Sequence, residues 1–203
     1  MVESLLILLT RICCGLIVRC VNEDFRKPGV IFFANHTSHL DLLVILSVFP
    51  AAQRRRIRPV AAQDYWTRGP VRRYIALHVL HAILMDRRHP MKTRAGFDAI
   101  AAALDAGDSV LIFPEGSRHD REEPGEFRGG IHHLAEARPE TAFVPVALHG
   151  LYRTLPKGEF LPAPNVGRVC FGKALQLEPG ESRAAFLARC REALIATGRW
   201  NDD

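Results

Sequence analysis

The chain has 203 residues, 48% of them hydrophobic, and carries 27 Lys and Arg against 22 Asp and Glu, a net charge of +5. That supplies one sizeable core without disulfides. The five cysteines (Cys13, Cys14, Cys20, Cys170 and Cys190) are odd in number and form no Cys-x-x-Cys pair, which argues against a disulfide framework and for a reducing, cytoplasmic compartment.

In chain order, Ser4 to Val18 is mostly apolar but interrupted by Arg11, and it falls short of the ~20 residues of a spanning helix. No basic start precedes it and no small-residue cleavage site follows, so a signal peptide is not expected either. The reading is an apolar helix within residues 1–20, lying in a membrane interface or packed on the domain, followed by a domain over residues 21–203. Val30 to Ala34 is short, β-branched and aromatic, and bounded by Pro28-Gly29, the pattern of a covered strand, and Leu42 to Val48 continues as a helix. Arg58 to Ala62 reads as a strand, Tyr65 to Val79 as mostly helix, and Ala82 to Met85 as a strand. Met91 to Ala106 is predicted helical, with Ile100 and Leu104 on its apolar side and Gly107 at its end, and it leads into a strand over Ser109 to Phe113. Ile131 to Ala137 is a helix, Ala142 to Leu148 a strand, the proline-rich Pro156 to Asn165 a loop, Val166 to Phe171 a strand, and Ala185 to Thr197 a helix closed by Gly198. This alternation predicts a single α/β domain with a largely parallel mixed sheet flanked by helices.

Directly after the first strand stands Asn35-His36-Thr37-Ser38-His39-Leu40-Asp41. Within one continuous helix, His36 and Asp41 would be about 140° apart and unable to meet. If Thr37 or Ser38 is the N-cap, His36 lies in the preceding turn and folds back toward Asp41. The carboxylate then holds the imidazole in one tautomer, leaving the other nitrogen to take a proton from a hydroxyl. Taken alone, the same residues also fit a simple helix-start signature, Ser38-x-x-Asp41. A second His-x4-Asp, His81 to Asp86, lies in a strand pattern, where residues five apart point to opposite faces and form no dyad.

The strand ending at Phe113 runs into Pro114-Glu115-Gly116-Ser117-Arg118, and Phe127-Arg128-Gly129-Gly130 follows. Both polar clusters follow the carboxyl ends of strands, where open α/β sheets bind ligands. Arg118, Arg128 and Arg87, the last after the Ala82 to Met85 strand, offer planar forks for a phosphate, while solvated surface arginines are the alternative reading for each. Glycines 116, 129 and 130 permit close backbone approach. Ser38 lacks a Gly-x-Ser-x-Gly elbow and neither motif contains cysteine, so a covalent route has little support. The His36/His39 and His78/His81 pairs lack the surrounding ligands of a zinc site, and no metal is expected. Arg54-Arg55-Arg56-x-Arg58 is either a solvated loop or a surface for anionic lipid headgroups or an acidic carrier protein. Nucleic acid is disfavoured, because no aromatic interleaving accompanies the arginines.

These blocks resemble the glycerolipid acyltransferases of the 1-acylglycerol-3-phosphate acyltransferase type. Asn-His-x-Ser-x-x-Asp matches Asn35 to Asp41, and Phe-Pro-Glu-Gly-Ser/Thr-Arg matches Phe113 to Arg118. Phe-Lys/Arg-x-Gly matches Phe127 to Gly130, an apolar strand ending in Asp/Glu-Arg matches Ile83 to Arg87 without its usual leading glycine, and Val-Pro matches Val144-Pro145. The resemblance spans about Val30 to Leu148 and implies a glycerol-3-phosphate acyltransferase-like fold. It implies transfer of a fatty acyl group from acyl-CoA or an acyl carrier protein thioester, with no other cofactor, to the free hydroxyl of a lysophosphatidic acid-like lipid. His36 would be the general base and Asp41 its partner. Glu115, Gly116, Ser117 and Arg118, with Arg87, Arg128 and Gly130, would bind the acceptor. Backbone N–H groups at the helix start would steady the oxyanion. A place at the cytoplasmic face of the membrane, peripheral or N-terminally anchored, follows. Alternative acceptors are other lysophospholipids, lyso-ornithine lipids or glycerol 3-phosphate. Two other classes are a non-catalytic lipid-binding module and a phosphoester hydrolase, for which neither nucleophile nor metal carboxylates are found.

Overall fold

A computed structural model describes residues 2–20, 24–86, 94–119, 121, 123–151 and 165–199. The chain opens with helix α1 (Val2–Cys13) and strand β1 (Cys14–Cys20), then strand β2 (Ile31–Ala34) and helix α2 (Asp41–Val48). Next come α3 (Ala51–Arg54), β3 (Ile57–Ala62), α4 (Gln63–Trp66) and α5 (Pro70–Tyr74), a π-helical turn over Ile75–Val79, and β4 (Ile83–Met85). The remainder is α6 (Arg94–Asp105), β5 (Ser109–Ile112), α7 (Gly130–Ala137), β6 (Phe143–His149), β7 (Asn165–Phe171) and α8 (Arg183–Gly198).

The seven strands form one sheet in the order β1-β7-β6-β2-β5-β3-β4. All neighbouring pairs are parallel except β6 with β7. The fold is therefore the expected single α/β domain with a mostly parallel mixed sheet. The continuous apolar runs of the central strands are explained by burial on both faces. In β2, Phe32 and Ala34 enter one core with α1 and α2, while Ile31 and Phe33 enter a second core with α6, α7 and α8. Alternation along a strand thus divides the apolar residues between two layers. On the first face Phe25, Phe32, Phe49 and Phe171 form an aromatic cluster with ring centroids 4.7 to 6.2 Å apart.

The N-terminal apolar stretch differs from a helix running on to Val18. The helix stops at Cys13, and Cys14 to Cys20 pair in parallel with Asn165 to Phe171 of β7. The cause is local: Gly15 disfavours helix, Ile17 and Val18 are β-branched, and β7 offers an otherwise unpaired edge. On α1, Val2, Leu5, Leu8, Leu9 and Ile12 are all about half exposed or more, whereas Ile7 and Thr10 are buried. Glu3 pairs with Arg54, and Arg11 donates to the Ser47 carbonyl, tying this helix to α2 and α3. Among the described residues no helix is long and apolar enough to cross a membrane. Of the loop expected over Pro156 to Asn165, residues 156–164 lie outside the described residues and Asn165 opens β7 instead; residues 91–93, at the start of the helix predicted from Met91, also lie outside them.

Candidate active site

Strand register places the site. Phe33 of β2 is paired with Ile112 of β5, so three residues further along both chains His36 stands beside Glu115. The carboxylate of Glu115 accepts the main-chain N–H of His36 at 3.0 Å through Oε1. Its Oε2 accepts the N–H of Gly125 at 2.9 Å and meets Nε2 of His119. His119 in turn donates its backbone N–H to the His36 carbonyl at 3.2 Å. The two motif loops are therefore joined on both sides of the His36 main chain.

On the other flank, the side chain of Asn35 extends the sheet ladder beyond β2. Its Nδ2 donates to the Leu148 carbonyl at 2.9 Å and its Oδ1 accepts the Leu148 N–H at 2.8 Å. A side-chain amide reproduces the donor and acceptor pair of a backbone residue, which is why asparagine suits this strand end.

Helix α2 starts one turn later than a Thr37 or Ser38 cap requires. Its N-cap is Leu40, whose side chain makes no capping bond. The carboxylate instead gathers the turn before the helix: Oδ2 of Asp41 accepts the N–H of Thr37 at 2.6 Å, the N–H of Ser38 at 2.8 Å and Nδ1 of His36 at 2.9 Å. Asp41 is completely buried, and its Oδ1 has no hydrogen-bond partner among the described residues. With two amide donors on the same oxygen, Asp41 acts as an acceptor, so Nδ1 of His36 carries its proton and Nε2 is left as the basic nitrogen. The imidazole also stacks on Phe113, with centroids 4.1 Å apart and planes at 22°. The ring is thus held at one edge by a charge and on one face by an aromatic. The amides of Thr37 and Ser38 are occupied by Asp41, so these two, which precede the helix, are not free to donate to an oxyanion. By contrast, His81 and Asp86 lie beyond opposite ends of β4 (Ile83–Met85), and Arg58 donates to the His81 carbonyl.

His36 opens onto a cavity of about 500 Å³ that Gly116, Ser117, Arg118, Arg128 and Gly130 also line. Its apolar wall includes Leu42, Trp66 and Ile75 on one side of the sheet and Phe97, Ile100, Ile131 and Leu134 on the other, with Leu6 of α1 also on the lining. Of the expected acceptor residues, Glu115 is the exception. It is buried and is not among the residues that line the cavity, and both its carboxylate oxygens are engaged by the protein itself, one of them by the main-chain N–H of His36. Arg87 lies outside the described residues. Gly116 has φ +73°, and a Cβ there would come within 2.6 Å of Arg128 Nε, so the glycine lets the guanidinium cross the loop and donate to the Glu115 carbonyl at 3.2 Å. Arg118 lies 5.9 Å from the Tyr65 ring centroid, and its Nη1 is buried without a hydrogen bond among the described residues. A guanidinium N–H left unpaired at a cavity wall is a site for an anionic oxygen. His39, on the same wall, is held below the ordinary histidine value, first by partial burial and then by the neighbouring charge of Arg118.

Sequence reading passed over three contributors. Asn35 was part of the first motif without a role. Phe113 closed a strand and opened the second motif, with no role given to its ring. His119, four residues after Glu115, carried the one signal that could have been used, an acid–imidazole pair spaced for contact.

A family model described as Acyltransferase matches residues 17–149. A protein of Mycoplasma pneumoniae described as "Probable 1-acyl-sn-glycerol-3-phosphate acyltransferase" is 27% identical over 137 residues, covering 65% of this chain and 48% of its own length. The chain thus spans about half the length of this curated relative. The crystal structure of the 1-acyl-sn-glycerophosphate (LPA) acyltransferase PlsC from Thermotoga maritima superposes with a TM-score of 0.74 at 16% identity, covering 99% of this chain and 82% of that one. At that identity the likeness is one of fold.

Proposed function

The chain belongs to the acyltransferase family, and from that premise we propose that it moves a fatty acyl group from an acyl thioester to the free hydroxyl of a lysophosphatidic acid-like glycerolipid. The observation that carries this reading is His36, with Nδ1 fixed by buried Asp41 and its ring on the wall of an apolar cavity that also presents Arg118 and Arg128. An alcohol becomes a competent nucleophile when its proton is removed, and a positioned base contributes about 10²- to 10⁴-fold. Nε2 of His36 takes the hydroxyl proton as the oxygen attacks the thioester carbonyl. The tetrahedral intermediate then collapses, the C–S bond breaks, and the imidazolium returns the proton to the departing sulfur. Asp41 stabilises the imidazolium throughout. Acyl-CoA and an acyl carrier protein thioester are the two donor classes, and no further cofactor enters the scheme.

The acceptor's phosphate would lie against Arg118 and Arg128, with Gly116, Ser117 and Gly130 giving backbone access and Arg87 assisting. The half-exposed apolar face of α1, Leu5, Leu8, Leu9 and Ile12, supports peripheral contact with a membrane at its cytoplasmic face. The test is mass spectrometry of products after offering lysophosphatidic acid, other lysophospholipids, lyso-ornithine lipid and glycerol 3-phosphate with each donor class. Saturable acylation of lysophosphatidic acid, lost in His36→Ala, is the expected result. Donor consumption that is indifferent to acceptor, or activity retained in His36→Ala, overturns it.

A further inference from the structure

Thr67 to Tyr74 is a run of eight consecutive exposed residues set between Trp66 and Ile75, both of which line the cavity beside His36. It contains α5, entered through Gly69 at φ +105° with Pro70 in the first helical turn. Val71 is 69% exposed and Tyr74 56%, more open to water than such side chains ordinarily are. Arg68, Arg72 and Arg73 stand among them, and no Asp or Glu occurs between Asp64 and Asp86. Arg72 packs over the Tyr65 ring at 4.9 Å and Arg68 donates to the Asp64 carbonyl, whereas the Arg73 guanidinium has neither a hydrogen bond nor an ion pair among the described residues, its backbone N–H donating to the Gly69 carbonyl. Leu6 of α1 lines the same cavity, so the apolar outer face of α1 and the α5 segment flank one opening.

We infer that α5 is a second lipid-contacting element, with Val71 and Tyr74 entering the interface and Arg68 and Arg73 engaging anionic headgroup phosphates beside the cavity. The inference deepens the proposed function and rests on its reading that the acceptor reaches His36 from a membrane. Two observations select a lipid surface as the occupant. A tyrosine and a valine bracketed by arginines match the layering of an interface, where aromatic bodies sit at headgroup level and guanidinium groups reach the phosphates. The segment is also continuous with the cavity wall through Tyr65, Trp66 and Ile75, so a lipid surface against α5 brings acyl chains to the apolar lining.

The test is cosedimentation of the full chain with phosphatidylcholine vesicles, with and without phosphatidylglycerol. Val71→Asp/Tyr74→Asp should weaken partition about tenfold on both vesicles. Arg68→Glu and Arg73→Glu should each weaken it roughly fivefold on the anionic vesicles alone. Thermal melting and acyl transfer to a detergent-dispersed acceptor should be unchanged in all of them. Wild-type partition in the double variant overturns the inference, as does a variant that keeps vesicle binding but loses transfer from an acyl carrier protein thioester, which would make α5 a carrier-docking surface. The vesicle measurement needs no turnover, so an inactive wild-type protein would sink the acyltransferase scheme while still deciding this one.

Discussion

Glu115 and His36 are 79 positions apart in the chain, yet the carboxylate of the first accepts the main-chain N–H of the second at 3.0 Å. This bond makes Glu115 a support for the imidazole. In Glu115→Ala the amides of His36 and Gly125 lose their acceptor, and a buried unpaired donor costs about 1–3 kcal/mol, to be read as a lower urea midpoint. Activity should fall mainly through kcat, with the acceptor KM close to that of the wild type. A change confined to KM would instead return Glu115 to the acceptor site.

Asp41→Asn separates charge from geometry. The amide oxygen can still accept from Thr37 and Ser38, so the turn should persist and the melting temperature should fall less than in Asp41→Ala. The negative charge beside His36 is gone, and kcat should fall by about 10²- to 10⁴-fold. An Asn variant with wild-type turnover would remove Asp41 from the proposed mechanism.

For Arg118, the expected signature is in binding. Arg118→Ala should raise the KM for a phosphate-bearing acceptor by about tenfold or more, the weight of one charge-assisted hydrogen bond. Arg118→Lys should recover only part of this, because an ammonium lacks the planar fork. Steady-state kinetics with phosphate-bearing and phosphate-free acceptors provide the comparison.

His39 titrates below an ordinary histidine because of partial burial and the nearby Arg118. In the window between its lowered value and the ordinary one, near 6.5, the unfolded chain binds more protons than the native one, so native stability erodes as pH falls through that window and is flat above it. His39→Gln should flatten this part of the profile in denaturant melts at stepped pH. An anion bound beside Arg118 should move the His39 resonance back toward the ordinary range in an NMR titration. No shift with lysophosphatidic acid would separate His39 from the acceptor site.

The sheet was legible because each buried strand announced itself as a short apolar run ended by glycine, proline or a polar motif, and Phe33 with Ile112, once paired, dictate that His36 meets Glu115. The dyad was only half legible: the strand pattern around His81 set the second His-x4-Asp aside, but the residues from His36 to Asp41 fit a simple helix-start signature, Ser38-x-x-Asp41, as well as they fit a fold-back of the imidazole onto the carboxylate. The start of α2 was misjudged because serine and threonine are the usual caps, whereas here the acid inside the first turn takes the donors of the preceding turn. Strand β1 was missed for a related reason. Its residues, Cys14 to Cys20, prolong the apolar character of α1, and what makes them a strand is the edge of β7, more than 140 positions later in the chain. The support given by Glu115, Asn35 and His119 is non-local in the same sense: each residue was visible, its partner was not.

Between Cys13, the last residue of α1, and Cys14, the first of β1, there is no spacer, and β1 is zipped to β7 along its whole length. The helix is in consequence a rigid fin on the sheet with no swivel of its own. Whatever layer its leucines rest against fixes the tilt of the entire body, and probes attached at Leu8 and at Val166 should tumble with a single correlation time.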